Sequence, residues 1–265
     1  MDLGLTGKIA LVVASSTGLG FAAARQLASE GAQVALCGRS AERLAEAEVA
    51  LREEFGGETA VIAFPCDVTD PEQIHKLVAD TAAHFGGLDI LITNAGGPPG
   101  GTFDTTNLDA WRSAIDLTLM SVVHLVKAAL PHLRKSETPA ILTITSVSVK
   151  QPIAGLLLSN VLRPGVVGLT KSLALELAGE NIRVNSILPG WTATDRVNQI
   201  MDYRAQANMT TADAERKKIT QSIPMKRMGD PAEFGNVAAF LVSPAASYVT
   251  GVMLQVDGGS YVGLL

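Results

Sequence analysis

Ser146, Ser159 and Arg163 are spaced so that they could contact one bound ligand. Ser146 closely follows the apolar run at residues 140–144, which predicts a buried strand. Ser159 and Arg163 are four residues apart, so in a helix they lie on one face. The arginine fork can hold the hydroxyl groups of a bound sugar. A serine hydroxyl has too high a pKa to supply a proton readily near neutral pH.

This arrangement resembles the catalytic segment of the short-chain dehydrogenase/reductase family, and in particular of its 3-oxoacyl-[acyl-carrier-protein] reductases. There a tyrosine follows the strand-end serine by thirteen residues, and a lysine lies four beyond the tyrosine. Here Ser146 keeps its place, whereas Ser159 and Arg163 replace the tyrosine and the lysine. The resemblance implies that Ser146 orients the substrate oxygen, while the residues that would supply the proton have changed. None of the three tyrosines has a lysine four residues later, so no shifted alignment restores the pair.

Thr118 and Pro164 are further departures from the family. Thr118 stands where the family carries an asparagine that stabilises a backbone kink and an ordered water. A hydroxyl can donate fewer hydrogen bonds than an amide, so threonine is expected to stabilise both less well. Pro164 disfavours helical geometry at Arg163 and removes one donor, which predicts a helix that begins late or kinks. Lys150 is a conceivable substitute cation, although a solvated loop residue is the favoured interpretation.

A glycine-containing turn joins the first predicted strand, residues 9–14, to a helix that ends at Gly31. Such a turn directs backbone N–H groups and the positive end of the helix dipole toward a phosphate. The residues predicted to contact the cofactor here are Ala14, Ser15, Ser16, Thr17, Gly18, Leu19 and Gly20. The family has threonine and glycine where this chain has Val13 and Ala14. We therefore expect weaker binding or a slightly displaced pyrophosphate, but no loss of binding.

The end of the second predicted strand, residues 33–36, indicates which nicotinamide cofactor binds. An acidic residue here would bind the ribose 2′-hydroxyl of NAD, whereas an arginine can hold the 2′-phosphate of NADP. The strand is followed by Gly38 and Arg39, without a carboxylate. NADP is therefore favoured, with NAD as the alternative. The competing interpretation is that Arg39 is a solvated residue that opens the next helix.

The resemblance implies further cofactor contacts. Asp67 matches an aspartate that binds the adenine amino group, although it could instead cap the following helix. The family's Asn-Asn-Ala-Gly element, which lines the adenosine and ribose side, is kept in three of four residues, and its Pro-Gly element faces the nicotinamide. The positions concerned are Asp67, Val68, Asn94, Ala95, Gly96, Arg163, Pro189, Gly190 and Thr192.

Seven short apolar segments alternate with helical ones, which predicts an α/β fold. We expect a single Rossmann domain over residues 1–265, with a doubly wound seven-stranded parallel sheet and helices on both faces. Ligands of such folds bind at the carboxyl ends of the strands, where Asp67, Asn94 and Ser146 fall. Residues 190–225, largely polar, are the predicted substrate lid, and the alternative is a solvated helical hairpin.

The composition argues against several classes of function. A net charge of −5 over 265 residues argues against nucleic acid as a partner. The two cysteines are expected to be reduced thiols in a cytoplasmic protein, and the four histidines show no metal-ligand spacing. No signal peptide and no run as long as a membrane span is seen, so no membrane partner is expected. The helices predicted at residues 111–133 and 161–177 are apolar over more than one face, which predicts a homotetramer or homodimer.

Two functions from different classes remain open. One is an NADP(H)-dependent oxidoreductase that reduces a carbonyl, such as a 3-oxoacyl thioester or a ketone, with water as the proton source. The other is a catalytically silent NAD(P)-binding or scaffold protein that keeps the fold. The retained Ser146 and the cofactor cleft favour the enzyme, whereas the changes at Thr118, Ser159 and Arg163 favour the silent protein.

Overall fold

Seven short strands form one parallel sheet in the computed structural model, which describes residues 2–56 and 60–264. In chain order they are β1 (Ile9–Val12), β2 (Gln33–Gly38), β3 (Val61–Pro65), β4 (Ile90–Thr93), β5 (Ala140–Ile144), β6 (Arg183–Pro189) and β7 (Met253–Val256). Their order across the sheet is β3-β2-β1-β4-β5-β6-β7, which confirms the predicted doubly wound sheet. Residues 1, 57–59 and 265 of the predicted domain lie outside the described residues.

Helices cover both faces of this sheet. Successive residues of each strand point to opposite sides, and both sets are apolar, so both faces have to be buried. The α-helices of the described residues are α1 (Gly18–Ser29), α2 (Ala41–Phe55), α3 (Pro71–Phe85), α4 (Leu108–Ile115), α5 (Ser121–Leu133), α6 (Leu157–Leu177), α7 (Asp195–Asn208), α8 (Ala212–Ser222) and α9 (Pro231–Val242). Ala10 and Val12 of β1 belong to one core with residues of α1, α2 and α9. Leu11 belongs to the opposite core, with residues of α3, α5 and α6.

Strand β1 ends at Val12 and not at the predicted Ala14. Ala14 has a φ of 50°, in the left-handed region, so the chain leaves the extended conformation early. Strand β2 continues beyond the predicted Leu36, because Cys37 and Gly38 still pair with β3. Strand β5 has its predicted bounds.

The helix predicted over residues 111–133 begins earlier, at Leu108, and contains a π-helical turn. This turn covers Asp116–Met120 and joins α4 to α5. A π-helical turn inserts an extra residue into the helical ladder and is frequent at functional sites. Thr118 lies within it, so the position at which the family carries an asparagine has an irregular backbone here.

The joined helical segment Leu108–Leu133 is long and apolar enough for a membrane span, contrary to the expectation that no segment has that length. It has 26 residues, and its most apolar window has a mean hydropathy of 1.5 and is 39% buried. One such helix is weak support for a membrane location, because core helices of soluble proteins pass the same test. α5 packs against α3 and β4, as a core helix does.

Helix α6 begins at Leu157, well before Pro164, so the predicted late start is wrong. Pro164 removes one helical hydrogen bond, the one its missing N–H would have donated to the carbonyl of Asn160. Leu158 and Leu162 are buried against α4, and this packing holds the first turns of α6 in place. Ser159 and Arg163 are therefore on regular helix.

Candidate active site

Strand β5 brings Ser146 to the carboxyl edge of the sheet, as predicted. Its Oγ accepts a hydrogen bond from the backbone N–H of Ser148 at 3.1 Å and so caps the short 3-10 turn Val147–Val149. The side chain is half-buried. Since this contact uses the oxygen only as an acceptor, the O–H is available to donate to a ligand oxygen.

Arg163 extends from α6 to the end of β5. Its Nη1 donates to the carbonyl oxygen of Thr145 at 2.9 Å and, over a longer 3.4 Å, to that of Ile144. Burial, and secondarily the positive charge of Arg196, lowers the pKa of Arg163 to about 10. The guanidinium therefore remains protonated at neutral pH. Within residues 2–56 and 60–264 no salt bridge involves it.

Ser159 lies one turn before Arg163 on the same face of α6, which confirms their predicted relationship. Its side chain is 8% exposed. In the part of the chain that the structure describes, its hydroxyl has no hydrogen-bond partner. The side chain is also much shorter than a tyrosine, so it cannot reach a substrate atom that a phenol at this position would reach.

A small cavity at the carboxyl ends of β4 and β5 brings several predicted residues together. Asn94, Ala95, Gly96, Thr118 and Arg163 all line it. The hydroxyls of Thr118 and of Thr93, which also lines the cavity, are buried and have no partner among the residues that the structure describes. Buried hydroxyls of this kind are usually satisfied by water or by a ligand atom. The cavity therefore offers hydroxyl and guanidinium groups to a polar occupant.

Ser146 and Ser159 lie beside this cavity and do not line it. Ser146 directly follows Thr145, which is part of the lining, and Ser159 precedes Arg163 by one turn. Lys150, which lies in a turn, does not line it either. Its half-buried side chain places the ammonium 5.1 Å from the centre of the Tyr261 ring.

Arg196 is a residue of this region that the sequence analysis missed. It is half-buried in the first turn of α7, and its Nη2 donates to the carbonyl oxygen of Pro98 at 2.6 Å. Burial lowers its pKa. The sequence could have indicated Arg196, because a cation in the first turn of a helix is unfavourable next to the positive end of the helix dipole. Such a residue suggests a compensating interaction elsewhere.

The turn between β1 and α1 has the expected properties of a phosphate-binding turn. Gly18 has a φ of 64°, and Thr17 at the N-cap of α1 makes no side-chain cap, so the first N–H groups of the helix are available to a ligand. Gly20 is required by packing, because a Cβ there would lie 2.3 Å from the carbonyl oxygen of Ala14. Asn94 Nδ2 donates to that same oxygen at 3.2 Å and steadies the turn.

Ser15 and Ser16 have different surroundings within this turn. Ser15 is fully buried, and its Oγ donates to Val12 and accepts from the N–H of Cys37, so it ties the turn to β1 and β2. Ser16 is half-buried, and its Oγ would lie 3.3 Å from a Cβ on Gly38. Ser16 and the exposed Arg39 are thus together at the end of β2, where a 2′-phosphate is expected.

Asp67 does not cap the helix that follows it, so that alternative is wrong. Asp70 is the N-cap of α3, and its Oδ1 accepts from the N–H groups of Glu72 and Gln73. Asp67 Oδ1 instead accepts from the N–H and Oγ1 of Thr69, which leaves Oδ2 for a ligand. Val68 is buried in the core beside it.

Strand β6 ends at Pro189, and the N–H of the next residue, Gly190, donates to the carbonyl oxygen of Val256 in β7. A Cβ on Gly190 would lie 2.7 Å from the Cα of Asp257, so only glycine fits there. Thr192, also a predicted cofactor contact, is buried and forms a bridge with Gly229. Packing against Asp257 fixes Gly190, and the bridge to Gly229 fixes Thr192.

The predicted lid, residues 190–225, contains α7 and α8, which share a small apolar cluster of their own. Helix α7 reaches the site through Tyr203, whose ring would lie 3.3 Å from a Cβ on Gly100 and 3.7 Å from one on Gly155. Arg204 Nη2 also donates to the carbonyl of Ala154 at 3.3 Å. These contacts place α7 over the loops that precede α6 and follow β4, and substrate contact by the lid remains a prediction.

Known proteins resemble this chain over nearly its whole length. The family model described as Enoyl-(Acyl carrier protein) reductase matches residues 13–261. The rabbit (Oryctolagus cuniculus) Dehydrogenase/reductase SDR family member 4 is 34% identical over 258 residues, which cover 97% of this chain and 94% of the rabbit protein.

Solved structures share both the fold and the sequence. The L-sorbose reductase of Gluconobacter frateurii, in complex with NADPH and L-sorbose, is 32% identical with a TM-score of 0.93, over 100% of both chains. A short-chain oxidoreductase of Pseudomonas aeruginosa PAO1, NADPH-bound and containing an atypical catalytic center, is 34% identical with a TM-score of 0.87, over 97% of this chain and 99% of that one.

Proposed function

Since the chain belongs to the short-chain dehydrogenase/reductase family, we propose that it is an NADPH-dependent reductase of a carbonyl compound, such as a 3-oxoacyl thioester or a ketone. The observation that carries this proposal is the cavity in which the charged Arg163 meets the unpartnered hydroxyl of Thr118. A merely structural site would be expected to pair these groups within the protein.

The residues at the carboxyl edge of the sheet fit a dinucleotide. The uncapped N-terminus of α1 offers N–H groups to a pyrophosphate. Arg39 is exposed, forms no salt bridge among the described residues and has no carboxylate beside it at the end of β2, which favours a 2′-phosphate and hence NADPH. Arg163 would hold the hydroxyls of the nicotinamide ribose. When bound, the nicotinamide supplies the hydride.

The proton has to come from a group other than a tyrosine. Ser159 occupies the place of the family's tyrosine, and its side chain is too short to reach the substrate oxygen that a phenol would reach. A water held by the hydroxyls of Thr118 and Thr93 is the proposed donor to the carbonyl oxygen, and the hydroxide that it leaves takes up a proton from solvent. Ser146 orients that oxygen, and the charge of Arg163 stabilises the negative charge that develops on it.

The test combines a binding measurement with a turnover measurement. NADPH fluorescence should change on titration with pure protein, and NADPH absorbance should fall when suitable ketones or 3-oxoacyl thioesters are added. Arg163→Gln should lower the turnover rate by about a hundred- to a thousandfold, since it removes a charge at the developing oxyanion. Binding of NADPH without consumption by any member of the panel would refute the reductase and support the silent cofactor-binding protein.

A further inference from the structure

Arg163 and Arg196 are two half-buried cations near one another, and no carboxylate in the described part of the chain forms a salt bridge with either. Burial lowers the pKa of both, and the charge of Arg196 also lowers the pKa of Arg163. Asp195 directly precedes Arg196, but it is exposed and forms no ion pair with it. Like charges that are withdrawn from water without a counter-ion are costly. An anion bound beside them would relieve this cost.

The two guanidinium groups approach the same short loop after β4. Arg163 lines the cavity next to Gly96. Arg196 lies against the adjacent Gly97, where a Cβ would be 2.8 Å from its Nε, so the lack of a side chain at Gly97 makes room for it. Its Nη2 contact with Pro98 uses one donor of the fork and leaves the others for a ligand.

We propose that Arg196 binds an anionic group of the substrate while Arg163 faces the carbonyl oxygen, and that the substrate is an oxo acid, a carbonyl compound that also carries a carboxylate. This inference rests on the proposed reductase function and narrows its substrate class. A carboxylate suits an arginine fork, which can donate two parallel hydrogen bonds to it.

The test compares oxo acids with their neutral esters. Protein saturated with NADP+ is titrated in a calorimeter with pyruvate, acetoacetate and laevulinate, which differ in the distance between carbonyl and carboxylate, and with the methyl ester of each. At least one acid should bind more tightly than its ester by roughly ten- to a hundredfold, as expected for hydrogen bonds to a charged group. Arg196→Gln should abolish this preference, and Arg196→Lys should retain part of it.

The control variant is Arg112→Gln, which removes an exposed arginine paired with Asp109 and should leave the preference unchanged. Equal affinity for each acid and its ester, or no binding of any of the six compounds, would overturn the inference. The inference would also fail if Arg196→Gln weakened NADP+ binding and left the preference for acids over esters intact. The anion bound by Arg196 would then be a phosphate of the cofactor. Two further titrations of the apoprotein separate the two claims. If NADP+ does not bind, the reductase is refuted. The preference of the apoprotein for the acids over their esters still decides on the anion site.

Discussion

Nη1 of Arg163 lies 2.9 Å from the carbonyl oxygen of Thr145, so a cation of α6 is fixed to the residue that precedes Ser146. The acceptor is a neutral main-chain oxygen, and the contact therefore orients the guanidinium without neutralising its charge. Because α6 is helical through Pro164, this geometry also fixes where Ser159 lies. The chemistry of the site follows from this one attachment.

Restoring the family's pair at these positions should create or raise carbonyl reduction. The double change Ser159→Tyr with Arg163→Lys supplies a phenol and a cation that can pass a proton, four residues apart on one face of α6. General acid catalysis of this kind is typically worth about a hundred- to ten-thousandfold in rate. Rates of NADPH consumption with one carbonyl panel, measured for both proteins, give the comparison.

The single changes Ser159→Tyr and Arg163→Lys serve as controls, and each should give less than the pair together. A different result would be equally informative. If the unmodified protein turns over NADPH and the double change abolishes that turnover, then Ser159 and Arg163 serve another mechanism, and water is not simply replacing a lost tyrosine.

Arg39→Asp should reverse the preference between the cofactors. The arginine is exposed at the end of β2, and a carboxylate there would repel a 2′-phosphate and accept a hydrogen bond from a 2′-hydroxyl. Calorimetry with NADPH and NADH measures both affinities. Arg112→Asp makes the same charge change at a distant exposed position and should not alter the order. Equal affinity for both cofactors in the unmodified protein would show that Arg39 does not select NADPH.

Ala14→Gly should stabilise the protein. Ala14 has a φ of 50°, and the left-handed conformation costs a residue with a Cβ about 1 kcal/mol, part of which is offset by the greater freedom of glycine in the unfolded chain. A net gain of about 0.5 kcal/mol corresponds to a rise of about 1 °C in the melting temperature, which calorimetry resolves. Ala50→Gly on the exposed side of α2 is the matched control and should lower it. An Ala14 variant that melts lower than the unmodified protein would contradict this account.

The chain should associate through helix α6. Val161, Gly165, Gly168, Ser172 and Leu175 are all exposed and form one stripe along it, with Leu175 72% exposed. Small and apolar residues in such a stripe favour close approach of a second helix. Light scattering should give at least twice the chain mass of 27.7 kDa, and Leu175→Glu should reduce it. A stable monomer at micromolar concentration would rule this out.

Much of the fold could be predicted from local patterns. Strand β5 has its predicted bounds, because a short apolar run between turn residues is typical of a buried strand. The same reasoning placed Ser146 at a strand end and Ser159 and Arg163 on one helix face. These features depend on spacing along the chain, which the sequence contains directly.

The remaining features depend on contacts between distant segments. Arg196 reaches the site because its guanidinium bonds to Pro98, and nothing in the local pattern of α7 indicates that partner. The π-helical turn at Thr118 and the continuity of α6 through Pro164 result from packing that outweighs local preference. The sequence showed alanine at position 14 in place of glycine, but not that the fold holds it at positive φ.

The proposed reaction is hydride transfer from NADPH to a carbonyl, with Arg163 stabilising the resulting oxyanion. The most direct measurement uses NADPH carrying deuterium at the reactive carbon of the nicotinamide and follows the label into the alcohol by mass spectrometry. The account predicts one deuterium per alcohol formed, and a loss of labelled product in Arg163→Gln that exceeds any loss in NADPH affinity. An alcohol without deuterium, or labelled product formed at the same rate by Arg163→Gln, would contradict it.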